Sequence, residues 1–156
     1  MTPQRIIVTG SRDWRDRYVV YRALNQAVTD LNGWLTPDPY GNTLPDPRRV
    51  VVVHGGCPTG ADAFADDWCV GAVIEPIVFR ADWATHGASA GPLRNRAMVQ
   101  AGAALVLAFI GPCTRRGCPV AGEHGSHGAE GCVREARRVG VPVRLFTPGF
   151  HVPTGQ

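Results

Sequence analysis

A chain of 156 residues, 44% hydrophobic and 19% charged, has ordinary globular composition and enough sequence for one hydrophobic core, which excludes a second independent domain of useful size. Its formal charge of +3, carried by arginine in place of lysine, suits an anionic small ligand and does not demand nucleic acid. No apolar run is long enough to cross a bilayer, and the first residues pass at once into strand-like sequence without a signal peptide's regions, so the expectation is a cytoplasmic protein with no membrane partner.

In chain order, residues 5–8 (RIIV) form a short β-branched run halted by Thr9 and Gly10, a buried first strand. A helix is predicted over 16–31, where Val19, Val20, Ala23, Leu24, Ala27, Val28 and Leu31 recur at helical spacing. Residues 32–49 lose that pattern to Gly, Pro, Asp and Asn and read as a surface insertion. Residues 50–53 (VVVV) are a strand buried on both faces, followed by a helix over 62–71. Residues 73–79 regain strand character at a sheet edge, where Pro76 can do without a ladder N–H. A third helix is predicted over 91–101 with Pro92 in its first turn, an interior strand over 104–110, a helix over 128–139 closed by Gly140, and a last strand over 141–146. Strand and helix alternate throughout. The predicted architecture is therefore one domain (1–150) with a short tail (151–156): a Rossmann-like α/β fold, its parallel sheet covered by helices on both faces. In such a sheet ligands bind beyond the carboxyl ends of the strands, where strand order reverses.

The 19 glycines and 13 prolines direct attention to the loops at that edge. After the first strand, Gly10, Ser11, Arg12 and Trp14 combine backbone donors at a helix start with a hydroxyl and a guanidinium able to fork onto phosphate. The plainer alternative is a turn capped by Ser11 or Asp13. After the second strand, His54, Gly55, Gly56, Gly60 and Asp62 stand in HGGCPTGAD, whose glycines let backbone approach a ligand closely. That spacing matches neither the Walker A loop nor the dinucleotide fingerprint, and Asp62 as a helix cap is its plainer reading. Asp82 and Trp83 precede Gly91, Pro92, Arg94 and Asn95, which bring donors for an oxyanion or a ribose hydroxyl to a third helix start. Ser126, His127 and Gly128 form a further turn before the last helix. Phosphate is expected at the backbone of Gly55, Gly56, Gly60 and the helix after Gly91.

Taken together and in this order, GSRDW (10–14), HGGCPTGAD (54–62), ADW (81–83) and GPLRNRAMV (91–99) resemble the SLOG superfamily, which unites Smf/DprA-type and lonely-guy proteins. The likeness is greatest to its small YspA-like branch of bacteria and their phages, and it covers nearly the whole chain outside the 32–49 insertion and the extreme ends. The resemblance implies a Rossmann-like fold that binds a nucleotide or nucleotide-derived ligand through phosphate and ribose. Some relatives also hydrolyse the N-glycosidic bond of a nucleoside monophosphate, using an Arg of a helix motif and a Glu after a Gly-rich loop. Arg94 matches the first; Glu130 and Glu135 are the candidates for the second, because Ala129 stands where that loop usually has Thr and Cys132 where it has Glu. DprA-type relatives, with Arg134, Arg137 and Arg138 on the last helix, raise a nucleic-acid-binding module as a second reading, and related folds often pair through helices, which makes a homodimer an expectation.

Five cysteines, an odd number in a chain expected to be intracellular, point to thiols or a metal site rather than disulfides. Cys113, Cys118, His124 and His127 fall in the 111–127 loop, and thiolate and imidazole at such spacing suit a tetrahedral structural zinc. Cys132 is the alternative to His127 as the last ligand, and free thiols with His127 turned to the ligand are the alternative to any metal. No redox cofactor is expected.

Overall fold

The computed structural model describes residues 2–120 and 125–148. Strands β1 (Gln4–Gly10), β2 (Val50–His54), β3 (Ile77–Val78), β4 (Leu105–Phe109) and β5 (Val143–Phe146) form one all-parallel sheet in the order β3-β2-β1-β4-β5. The helices are α1 (Arg17–Asp30), α2 (Gly60–Ala72), the short α3 (Trp83–His86), α4 (Ala90–Gln100) and α5 (His127–Arg138), with a 3₁₀ turn (Gly87–Ser89) between α3 and α4. This is the Rossmann-like α/β domain that the alternation predicts. No helix among the described residues is long and apolar enough to cross a membrane.

The strands read as unbroken apolar runs because both faces of the sheet are covered. Along β1 the period of two sends Ile6 and Val8 to one face and Ile7 to the other. Val20, Leu24, Val28, Ala65 and Trp68 of α1 and α2 pack on the first face with Val52 and Leu107. Met98, Val99, Cys132 and Ala136 of α4 and α5 pack on the second with Val53 and Val106. Right-handed crossovers explain the division: the chain steps from β1 through β2 to β3 in one direction, then returns past β1 to β4 and β5, so the later helices fall on the opposite face. The reversal lies between β1 and β4, and their carboxyl ends frame the switch point. Phe109, at the end of β4, is fully buried there, stacked on Phe146 at 4.9 Å and meeting the edge of Trp14 at 5.6 Å.

The boundaries differ from expectation where local chemistry overrides pattern. Helix α2 runs through Gly71 and stops at Val73, which is left-handed (φ 56), while the Ile74 N–H donates back to the Cys69 carbonyl. That termination consumes the first residues of the predicted 73–79 strand, and Pro76 confines pairing to Ile77 and Val78. The 32–49 insertion carries an isolated Trp34–Pro45 bridge and is pinned at its exit by buried Asp46, which takes the Arg48 guanidinium at 3.0 and 2.9 Å.

At its last residue β1 passes directly beneath α2. A Cβ on Gly10 would strike the Ala61 methyl and stand 2.8 Å from the Phe109 carbonyl oxygen. Gly10→Ala is expected to lower stability by about 1–3 kcal/mol, the usual cost of overpacking, and thermal denaturation should show Tm falling by several degrees; an unchanged Tm would mean that Ala61 moves aside freely.

Candidate functional site

Beyond the carboxyl ends of the strands lies a cleft of about 1300 Å³, bounded by the loops after β1, β2, β3 and β4 and by the starts of α4 and α5. Of the residues singled out in the sequence, Gly10, Ser11, Arg12, Gly55, Gly56 and Asp62 line it from the first two loops. Trp83, Gly91, Pro92, Arg94 and Asn95 line it from α3 and α4, and Ser126, His127 and Gly128 from the start of α5. The fold thus brings segments more than a hundred residues apart onto one edge.

Ser11 closes the switch point. Its N–H donates to the Phe109 carbonyl at 2.9 Å, and its buried Oγ accepts the Gly111 N–H at 2.7 Å, tying the loop after β1 to the loop after β4. Arg12 and Asp13 follow, exposed at the cleft. Trp14 does not line it; the indole is buried against Phe109, and its N–H donates to the Asp16 carbonyl at 2.9 Å. Asp16, rather than Ser11 or Asp13, caps α1 through the Val19 N–H.

The Gly-rich loop after β2 is held by side chains from within. Asp62, only 8% exposed, accepts the N–H groups of Gly55 and Cys57 at 3.1 and 3.2 Å. The His54 ring accepts the Gly56 N–H on Nδ1 at 3.0 Å and meets the Asp66 carboxylate through Nε2 at 2.9 Å. A backbone donor on Nδ1 requires the proton on Nε2, which is where the carboxylate takes it. The N–H groups of Gly55 and Gly56, expected from the sequence to meet phosphate, are thus engaged within the loop itself. His54 is likewise a buried brace and not a cleft residue. Gly60 does not line the cleft either; its φ of +73 and the Ser11 carbonyl pressed against it leave no room for a side chain.

Arg94 crosses from α4 to these loops. Its Nη1 donates to the Gly55 carbonyl at 2.9 Å and to the Phe79 carbonyl at 3.3 Å, and its Nε to Asn95 Oδ1 at 2.9 Å. A Cβ on Gly55 would fall on the guanidinium, so the first glycine of the loop makes room for this arginine. Asn95, buried, donates from Nδ2 to the Gly128 carbonyl at 3.0 Å and fixes the start of α5 against α4. Asp82 lies outside the cleft lining and caps α3 through the Thr85 N–H at 3.0 Å; the Thr85 side chain first, and then its N–H, holds the Asp82 carboxyl below the usual range.

The two candidate catalytic glutamates part company. Glu130 accepts the Gly125 N–H at 3.2 Å and is not among the cleft residues. Glu135 reaches the cleft, paired with Arg138 at 3.0 Å and Arg96 at 3.7 Å. Four cleft arginines were not chosen as ligand residues from the sequence: Arg80, Arg96, Arg115 and Arg134. With Arg12 and Arg94 they make six, against Asp13, Asp62 and Glu135 as the acidic lining. The signal for Arg80 was its place one residue past the predicted strand that ends at Phe79.

Cys113 Sγ, Cys118 Sγ and a His127 ring nitrogen all lie within 4.8 Å of one another. His124 lies outside the described residues. Cys132 does not join the cluster: it is fully buried between α5 and the sheet, where burial pushes its thiol up to about 11.

Burial, against the opposing hydrogen bond from Cys57, lifts the Asp62 carboxyl above its ordinary 3.8. Asp62→Ala strands two backbone donors and is expected to cost about 1–3 kcal/mol for each one left unsatisfied. With a folded pKa above the unfolded one, the folded chain holds more protons between the two values. The contribution linked to this titration is complete below 3.8 and is lost as pH rises through the raised folded value. Equilibrium denaturation from acid to neutral pH should show wild type losing stability relative to Asp62→Asn over that interval, whereas a constant difference would mean a carboxyl titrating as in the unfolded chain.

A protein-family model described as the YspA, cpYpsA-related SLOG family (YAcAr) matches residues 38–86, the stretch that contains the Gly-rich loop, Asp62, Arg80 and Trp83. Among curated proteins the chain is similar to the Gene 61 protein of Mycobacterium phage D29, 41% identical over 148 residues that make up 92% of this chain and 96% of that relative. No solved structure matches it. Identity sustained along nearly the full length of both chains, joined to a family match centred on the loops of the cleft, places this protein in the YspA, cpYpsA-related SLOG family.

Proposed function

We propose that the cleft binds a nucleotide or nucleotide-derived small molecule, with its phosphate held by arginines and helix starts and its base beside Trp83. The observation that carries this reading is the concentration of six arginines at the switch point of the sheet. The first-turn N–H groups of a helix have no intrahelical partners and carry the positive end of its dipole. His127, Gly128 and Ala129 bring that end of α5 to the cleft, and Thr59 brings the N-cap of α2. Arg12 and Arg80 are exposed there and supply forked donors from opposite loops. Trp83, half exposed and in contact range of Gly91, offers an aromatic face.

Binding is favoured over hydrolysis by the state of the carboxylates. Scission of an N-glycosidic bond needs a carboxyl free to act at the sugar. Glu130 is spent on the Gly125 N–H and Glu135 on two arginines.

Calorimetric titration with nucleoside mono- and diphosphates, ADP-ribose, dinucleotides and a short oligonucleotide tests the proposal. Saturable small-ligand binding is expected, and Arg12→Ala and Arg80→Ala should each weaken it about tenfold or more, since a charge-assisted hydrogen bond contributes roughly 1.5–3 kcal/mol. Oligonucleotide binding with steep salt dependence and no small-ligand binding would replace this reading with a nucleic-acid module. Release of free base that Glu135→Gln abolishes would replace it with a hydrolase.

A further inference from the structure

We propose that Cys113, Cys118 and His127 bind a zinc ion that fastens the β4–α5 loop to the wall of the cleft. The inference rests on side-chain geometry and is independent of what the cleft binds. Tetrahedral zinc with Zn–S near 2.3 Å and Zn–N near 2.0–2.1 Å sets its donors roughly 3.6–3.8 Å apart. The three donors here all stand within 4.8 Å of one another, and Cys118 Sγ is 3.1 Å from His127 Nε2. Shifts of about 1 Å or less in each donor bring them to those spacings.

The convergence is built by the backbone. Ser126 N–H donates to the Gly111 carbonyl at 3.0 Å and Pro112 bridges Gly125 in antiparallel fashion, so the loop leaves and re-enters through a short zipped stem. Cys113 follows the outgoing side of the stem and His127 opens α5 two residues past Gly125, and their donor atoms fall within 4.8 Å of each other. A turn in which the Cys118 N–H meets the Arg115 carbonyl at 3.4 Å carries Cys118 back to them. Glu130 holds the returning side through the Gly125 N–H.

The donor set selects the metal class. Two thiolates and an imidazole suit zinc and not the hard cations, which take oxygen ligands. Each thiol gives up its proton on binding, so two protons leave per ion. Cys113 and Cys118 are half-buried beside the cleft, whereas Cys69 and Cys132 lie in the core away from them. Three protein donors leave one tetrahedral position for water or another donor.

Cobalt(II) is the probe, titrated into the reduced, chelator-stripped full chain. One equivalent should bind with thiolate-to-cobalt charge-transfer absorption and d–d bands of tetrahedral intensity, and zinc should displace it. Cys113→Ser and Cys118→Ser should each lose much of the charge-transfer intensity, His127→Ala should weaken binding at least tenfold, and His127→Cys should restore it with stronger charge transfer. Cys57→Ser should leave the stoichiometry at one. Should a cysteine variant not fold, zinc raising the wild-type Tm, reversed by chelator, reads the same site. Absence of charge transfer in wild type overturns the proposal, as does its persistence in the Cys113→Ser/Cys118→Ser double variant, or a Cys113–Cys118 disulfide that forms in place of metal binding in the presence of cobalt. Because the readout is metal absorption, failure here leaves nucleotide binding untouched, and the reverse holds.

Discussion

The carboxylate of Asp62, reaching back from the first turn of α2 to the N–H groups of Gly55 and Cys57, is the contact on which the carboxyl edge is organised. A Gly-rich loop between a buried strand and a helix presents several backbone donors in a small space, and unsatisfied they would be costly where water is scarce. Here Asp62 takes two and the His54 ring takes the one between them. The loop is thereby given a single shape before any ligand arrives. It serves as a rigid platform, and the cleft arginines stand around it on neighbouring segments.

Arginine at position 94 follows from the same geometry. Arg94 satisfies the Gly55 and Phe79 carbonyls and Asn95 at once, joining the ends of β2 and β3 to α4. An ammonium on a flexible stem has no planar fork with which to hold such a set in fixed geometry. The same guanidinium also brings positive charge beside buried Asp62, offsetting part of what burial does to that carboxyl. Glycine at 55 is the complementary requirement, since any side chain would occupy the space the guanidinium fills.

The architecture was legible in the sequence because strands covered on both faces must be apolar at every position, and β1, β2 and β4 declare themselves in that way. The failures are local. β3 is shorter than the predicted 73–79 strand because the left-handed stop at Val73 and the ring of Pro76 leave only two residues to pair, although Val73, Ile74, Ile77 and Val78 all look like strand formers. α3 is too short to show a period, and Asp82, its cap, reads equally well as a ligand residue. At the site, residue type was informative and direction was not. No spacing distinguishes a histidine turned toward a ligand from one turned toward an aspartate twelve residues on, as His54 is. Arg80, Arg96, Arg115 and Arg134 come from separate segments and become a group only when crossovers bring those segments to one edge.

The β4–α5 loop is anchored at both ends by side chains of the frame. Ser11 Oγ holds Gly111 where the loop departs, and Glu130 holds Gly125 where it returns. Asn95 fixes the first turn of α5 through the Gly128 carbonyl. The residues between the anchors contribute Cys113 and Arg115 to the cleft wall, and His127 follows directly after them. Order in this loop therefore sets the position of a cleft arginine and of the positive end of α5, without moving the sheet. Anything that fastens the loop, a metal or a ligand that spans the cleft, acts on the same wall.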